Sequence, residues 1–302
     1  MGEGLRKDWH MRILITGHKG FCGRHFVQAL TGHEIVGVDL KEGNDCRDFF
    51  KTDNRVFDLV VHLAAIVGGR EKIEHEPLAV ATDLSIDAEM FNWAIRTGQK
   101  KIVYYSSSAA YPINLQNQPY KLKEADIDLR EIKNPDFTYG WAKLTGEMLA
   151  DFARRQGIAV YVFRPFSGYG EDQDETYPFP AFLKRIKERQ DPFVIWGDGE
   201  QVRDFIHIDD IVQATLKTVE LDIQEPVNLG MGVPTSFNQL AELMFQLANF
   251  HPKIKHLPEK PVGVLYRCSD NRKMLKFYKP QITLQQAIAK ALEKTENVHS
   301  VN

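Results

Sequence analysis

The chain has 302 residues, 43% of them hydrophobic and 26% charged, with a formal net charge of −3. This is the composition of a water-soluble globular chain, large enough for one sizeable domain or two smaller ones. Its mild acidity excludes the basic surface of a nucleic-acid binder or of a protein held on an anionic membrane, and no apolar run approaches the ~18 residues of a membrane span. Three scattered cysteines, Cys22, Cys46 and Cys268, read as reduced thiols of a cytoplasmic protein, not as a disulfide framework or a metal site. Residues 1–10 are polar and lack the apolar core of a signal peptide, so a flexible leader is expected there, with Met11 opening the first strand.

Residues 12–16 read as a strand and 20–31 as a helix. Further strands are expected at 35–39, 58–63, 101–106 and 158–163, and helices near 77–97 and 138–156. Short apolar runs alternating with amphipathic stretches predict an α/β fold, a doubly wound parallel sheet covered on both faces. After Arg164-Pro165 the texture changes. Proline and glycine become frequent, and helices near 180–190, 236–249 and 283–294 mix with short strands. The expected organisation is a nucleotide-binding domain over 11–165 and a smaller α/β substrate-binding region over 166–302, which returns to the main sheet at 207–229.

The first strand runs into Gly17-His18-Lys19-Gly20-Phe21-Cys22-Gly23. Gly17 lets the chain turn, Gly20 lets backbone approach phosphates, and Gly23 lets the helix pack close to the sheet. A Rossmann-like strand–turn–helix of this kind holds a dinucleotide pyrophosphate on the helix N-terminus, with Phe21 and Cys22 in the first helical turn. Asp39 ends the second strand, where a carboxylate can accept both ribose hydroxyls and repel a 2′-phosphate, so NAD is expected over NADP. Leu40 follows it, and Asp45 and Cys46 lie where the next loop can meet the adenine edge. Tyr139 and Lys143 stand four residues apart on one helix face. Lys143 is suited to bond the nicotinamide ribose and to stabilise a Tyr139 phenolate, since a free phenol is a poor base near neutral pH.

Gly-x-x-Gly-x-x-Gly, His62-Leu63-Ala64-Ala65, Ser106-Ser107-Ser108, Tyr139-x-x-x-Lys143, Arg164-Pro165-Phe166 and the run Arg203 to Asp210 stand in order. This set resembles the extended short-chain dehydrogenase/reductases, specifically the nucleotide-sugar epimerases and dehydratases, over roughly residues 11–295. The resemblance implies a cytoplasmic, homodimeric, NAD-dependent enzyme of carbohydrate biosynthesis acting on a nucleotide-diphosphate sugar. It implies catalysis by Ser107, Tyr139 and Lys143. The catalytic hydroxyl of the family lies four residues before the Tyr of a Tyr-Gly or Tyr-Pro pair; here that is Tyr111-Pro112, which selects Ser107. Leu63, Ala64, Ala65 and Pro165 are expected beside the cofactor. Val67, Gly69, Arg70, Ser108 and Ser167 are expected beside the substrate, with Arg203 and Arg267 on its diphosphate.

The departures narrow the reaction. Dehydratases of this family carry Asp-Glu where this chain has Ser108 and Ala109. Its GDP-mannose 3,5-epimerases place a cysteine at the second of these positions, paired with a lysine from a segment that here reads Tyr177-Pro178-Phe179-Pro180. No second acid–base pair is present. What remains is chemistry at one carbinol: 4-epimerisation first, with C4 oxidation or keto reduction, including of a GDP-linked sugar, as the alternative. A non-catalytic NAD sensor is disfavoured by the intact Ser107, Tyr139 and Lys143. Asp83 falls where relatives usually carry Asn. His207 is expected as a structural hydrogen bonder, and Asp209 and Asp210 as caps of a helix starting at Ile211. Phe193 and Trp196 are candidates to pack near the base. The helices near 83–97 and 140–155, with Met90, Trp93, Leu144, Met148 and Phe152, are expected to pair in the dimer.

Overall fold

A computed structural model describes residues 10–68 and 70–299. The leader expected at the N-terminus and Gly69 therefore fall outside the described residues, apart from His10. The elements run β1 (Arg12–Thr16), α1 (Phe21–Ala29), β2 (Glu34–Val38), α2 (Cys46–Thr52), β3 (Leu59–His62), α3 (Arg70–His75), α4 (Pro77–Thr97), β4 (Lys101–Tyr105), β5 (Lys121–Leu122), α5 (Phe137–Arg155) and β6 (Ala159–Pro165). They continue β7 (Ser167–Tyr169), α6 (Pro178–Lys187), β8 (Phe193–Trp196), β9 (Val202–His207), α7 (Ile208–Glu220), β10 (Val227–Leu229), β11 (Pro234–Ser236), α8 (Phe237–Leu247), β12 (Ile254–Leu257), β13 (Tyr266–Ser269) and α9 (Leu284–His299).

The main sheet has the order β10-β6-β4-β3-β1-β2, and its pairings are parallel throughout. Alternation along each strand feeds two cores. Ile13, Ile15, Leu59, Val61, Val103, Tyr105, Tyr161 and Phe163 point to the face covered by α1 and α7. Leu14, Val60, Ile102, Tyr104, Val160 and Val162 point to the face covered by α2, α4 and α5. Both faces are dry, which is why these strands read as continuous apolar runs. From β1 the chain goes to β2 on one side and to β3 on the other. The carboxyl ends of β1 and β3 thus form the switch point at which open α/β sheets bind ligands.

The C-terminal part builds a third core around Phe182, Phe193, Leu240 and Phe245. Its mixed sheet, β11-β9-β13-β5, borrows β5 from the first half of the chain, and β10 goes the other way into the main sheet beside β6. The return expected over 207–229 is therefore α7 covering the sheet followed by β10 joining it. Two expectations are corrected here. Phe193 is fully buried in the third core, where it packs on Phe182 and Phe245 and is unavailable to a ligand. The helix after β9 starts at Ile208, capped by His207, whose Nδ1 accepts from the Asp209 amide at 3.2 Å. Asp209 binds His25, and Asp210 accepts from Tyr278 and from the Gln281 and Ile282 amides, so neither acid is the cap.

Candidate active site

The glycine turn is built by close approach. A Cβ at Gly23 would sit 2.1 Å from the Gly17 carbonyl oxygen, and Gly17, with φ +72°, brings the turn against the Ala64 amide. Thr16 Oγ1 accepts from the Leu63 and Ala64 amides at 3.2 Å each, which ties the turn to the loop carrying Leu63, Ala64 and Ala65. Gly20 is the N-cap of α1 and no side chain caps that helix. An uncapped helix N-terminus at a switch point, too crowded for a Cβ, fits a dinucleotide pyrophosphate. Asp39, buried at the end of β2, accepts from the Lys19 and Lys41 amides at 2.8 Å each. It thereby shapes the loop that a ribose would meet.

Other cofactor-side residues have structural work as well. Asp45 caps α2 and pairs with Arg47 at 2.6 Å, and Cys46 is buried in the core under α4. Leu40 is largely exposed. Burial pushes the Cys22 thiol up to about 12, which keeps it neutral beside Phe21. Pro165 pairs with Leu229 at the end of β6.

Helix α5 carries Tyr139 and Lys143 to the same crevice. It lies close to the turn after β4 because residue 140 is glycine: a Cβ there would be 2.4 Å from the Ala109 carbonyl oxygen. The Lys143 ammonium sits 5.9 Å from the Tyr139 ring centroid and 5.5 Å from that of Tyr104. Ser107 accepts from the Ala109 amide at 3.1 Å. Burial pushes the Tyr139 phenol up, the charge of Asp83 adds to this, and a hydrogen bond with Ser107 works against it. The structure therefore brings Ser107, Tyr139 and Lys143 together. Ser106 faces away, donating to Glu147 at 2.5 Å. Ser108 is buried in the short turn after it.

The substrate-side arginines form one cluster. Arg267 donates to Asp136 at 2.6 Å, and Arg70 donates to both oxygens of the same carboxylate at 3.0 Å. Burial alone would raise the Asp136 carboxyl, but the two guanidiniums hold it below its ordinary value. Arg203 donates to the carbonyls of Val202, Val262 and Val264 and has no acidic partner among the described residues. Burial, then the neighbouring Arg267, pulls its guanidinium down to about 9. A part-buried cation served by carbonyls and the Phe237 ring, with no acid of its own among the described residues, favours an arriving anion. Val67 is exposed in the loop after β3, and Ser167 sits in β7 against Phe205.

Sequence reasoning missed three residues here. Asp136 immediately precedes α5 and resembles any helix-capping acid. Gln116 binds Arg267 from a loop without a motif. Burial, then the charge of Tyr139, pushes the Tyr177 phenol up; its position in Tyr-Pro-Phe-Pro was the available signal.

The NAD dependent epimerase/dehydratase family model matches residues 13–230, and the chain belongs to that family. It is an enzyme of this type and its cofactor is NAD. Among relatives, GDP-mannose 3,5-epimerase 1 of Oryza sativa subsp. indica is 32% identical over 290 residues, covering 86% of this chain and 75% of the relative. The dTDP-4-dehydro-6-deoxy-D-allose reductase of a Streptomyces species is 27% identical, covering 87% and 89%. Among solved structures, UDP-glucose 4-epimerase of Thermotoga maritima with UDP-glucose superposes with a TM-score of 0.80 at 25% identity, covering 96% of this chain and 100% of that one.

Proposed function

We propose that the protein modifies a nucleotide-diphosphate sugar at C4, by 4-epimerisation, in the cytoplasm. The observation that carries this reading is the part-buried, carbonyl-bound Arg203 next to Arg267 across β9 and β13, two guanidiniums suited to a diphosphate in a chain that also brings Ser107, Tyr139 and Lys143 together. Bound on the glycine turn, with Gly17, Gly20, Gly23, Asp39 and Lys143 holding it, NAD supplies a reversible hydride acceptor. Tyr139 takes the C4 hydroxyl proton, Lys143 stabilises the resulting phenolate, and Ser107 bonds the sugar oxygen in both its hydroxyl and carbonyl states. The 4-keto sugar turns within the site to present its other face for return of the hydride to C4, and Tyr139 gives the proton back to the C4 oxygen.

Ala109 is buried in an apolar turn, so the position carries no second acid or base, which supports C4 chemistry over 3,5-epimerisation or dehydration. A C4 reductase is the second reading, favoured by the likeness to the Streptomyces reductase. Three free cysteines support a reducing compartment, and no described helix is long and apolar enough to cross a membrane. We also infer a homodimer through α4 and α5. Met90, Trp93 and Leu144 are buried in their own subunit, a correction to their expected place at the interface, but Trp141, Met148 and Phe152 of α5 and Leu84 of α4 remain exposed. Light scattering at micromolar concentration tests this, and a monomer rejects it. The function is tested by incubating the protein and NAD with UDP-, GDP- and dTDP-sugars and following products by NMR. Turnover of a 4-epimer pair is the expected result, and no reaction with any member under oxidising or reducing conditions overturns it.

A further inference from the structure

Two carboxylates, one helical turn apart on α4, are buried where that helix packs along α5, the helix of Tyr139 and Lys143, Asp83 fully and Asp87 to within 1%. Asp87 is satisfied. Its Oδ2 accepts from the Tyr104 hydroxyl at 2.5 Å, its Oδ1 lies 3.2 Å from His62 Nε2, and His62 Nδ1 reaches Thr16 Oγ1 at 2.8 Å. Asp83 is not. Its Oδ1 accepts from the Ile66 amide at 2.5 Å, but its Oδ2 is buried without a hydrogen-bond partner. A carboxylate oxygen so placed is costly unless a cation or a proton compensates it. The cation nearest these acids along the α4–α5 contact is Lys143, itself buried: its ammonium sits 5.5 Å from the ring of Tyr104, whose hydroxyl donates to Asp87 one turn from Asp83, and its charge acts on both carboxylates.

We propose that Asp83 is a positioning residue: its unpartnered Oδ2 competes with Tyr139 for the Lys143 ammonium, so the charge on this one carboxyl sets how readily the neighbouring phenol ionises. The proposal rests on the proton-accepting role proposed for Tyr139 and adds its control by pH. The charged and titratable groups around Asp83 can be named. Lys143 and Tyr139 come from α5, Asp87 from its own helix, and His62 and Tyr104 reach it through Asp87 from β3 and β4. The other helices packed on α4 present the pairs Asp45–Arg47 from α2 and Arg70–Glu74 from α3, each with both signs. Burial pushes the Asp83 carboxyl up to about 6, tempered by Lys143. Below that value Asp83 is neutral and Lys143 is left to Tyr139. Above it the carboxylate both draws on Lys143 and repels a phenolate, in keeping with its charge raising the Tyr139 phenol.

The test is a titration of Tyr139 in the full-length, NAD-loaded protein, labelled with ¹³Cζ-tyrosine. The Tyr139 resonance is assigned by its loss in Tyr139→Phe. In Asp83→Asn, which keeps an oxygen for the Ile66 amide and removes the charge, the Tyr139 midpoint is expected to fall by on the order of one pH unit. Asp83→Ser, also neutral and able to accept from that amide, gives the same direction and stands in if Asp83→Asn does not fold. Once a substrate is in hand, the acidic limb of the kcat/KM profile moves down by the same amount, while KM at the plateau stays within about twofold. A Tyr139 midpoint that stays within about 0.2 unit, or that rises, overturns the proposal. The titration does not depend on turnover. A Tyr139→Phe variant that keeps full activity would sink the catalytic reading without touching this result, and the two failures are distinguishable.

Discussion

Glu147 is the sharpest structural test of how the site is held. It lies on α5 two turns beyond Tyr139, and its carboxylate bonds Arg164 twice, at 2.9 and 2.6 Å, and Ser106 at 2.5 Å. Both side chains of the ion pair are 2% exposed. Arg164 also donates to the Tyr111 hydroxyl and the Glu124 carbonyl, and Tyr111 donates to Asn228 on β10. One carboxylate thus pins α5, β4 and β6 together beneath Ser107 and Tyr139. Glu147→Ala strips three charge-assisted bonds and leaves a guanidinium buried with two neutral partners. Breaking a buried pair in this way costs about 3–5 kcal/mol. Unfolding in urea with circular dichroism reads the loss, and at this chain length each kcal/mol lowers Tm by roughly 1.5–2 °C. Glu147→Gln keeps acceptor capacity and is expected to lose about half as much. If Glu147→Ala lies within about 1 kcal/mol of the native protein, the pair does not hold the helix and the reasoning fails.

Two further outcomes follow from the ligand sites. Gly23→Ala drives a methyl onto the Gly17 carbonyl, so NAD affinity measured by calorimetry is expected to fall at least about a hundredfold; unchanged affinity would mean the turn is not the pyrophosphate site. Arg203→Ala is expected to weaken nucleotide-sugar binding by roughly 1.5–3 kcal/mol, the scale of a lost charge-assisted hydrogen bond, with NAD affinity nearly unchanged. Because Arg203 also ties β9 to the Val262–Val264 segment, a modest drop in Tm accompanies the loss, and equal loss of both ligands would assign it to the fold instead.

Much of the first half was legible because its chemistry is local. Strand, glycine turn and helix are contiguous, and Tyr139 and Lys143 are fixed by helical spacing alone. What escaped depends on contacts distant in sequence. β5 is two residues whose strand character comes only from pairing with β13. Met90 and Trp93 look like interface residues on a helical wheel, yet α2 and Phe57 close over that face of α4 and bury them. Asp136 gains its meaning from Arg70 and Arg267, 66 and 131 residues away in the chain. The unpaired oxygen of Asp83 cannot be read from composition or spacing at all, since an acid one turn from another on a helix is usually solvated.

The central claim is that Tyr139 moves the proton at C4. The direct measurement is steady-state turnover of Tyr139→Phe on the nucleotide sugar identified by the NMR panel, with absorbance at 340 nm followed in the same cuvette for the native enzyme. The substitution keeps the ring, so folding and NAD affinity are expected to survive while turnover falls on the order of 10²–10⁴-fold. The native epimerase shows no net NADH accumulation over many turnovers. Full activity in Tyr139→Phe would contradict the mechanism, and steady NADH build-up by the native enzyme would replace epimerisation with dehydrogenation.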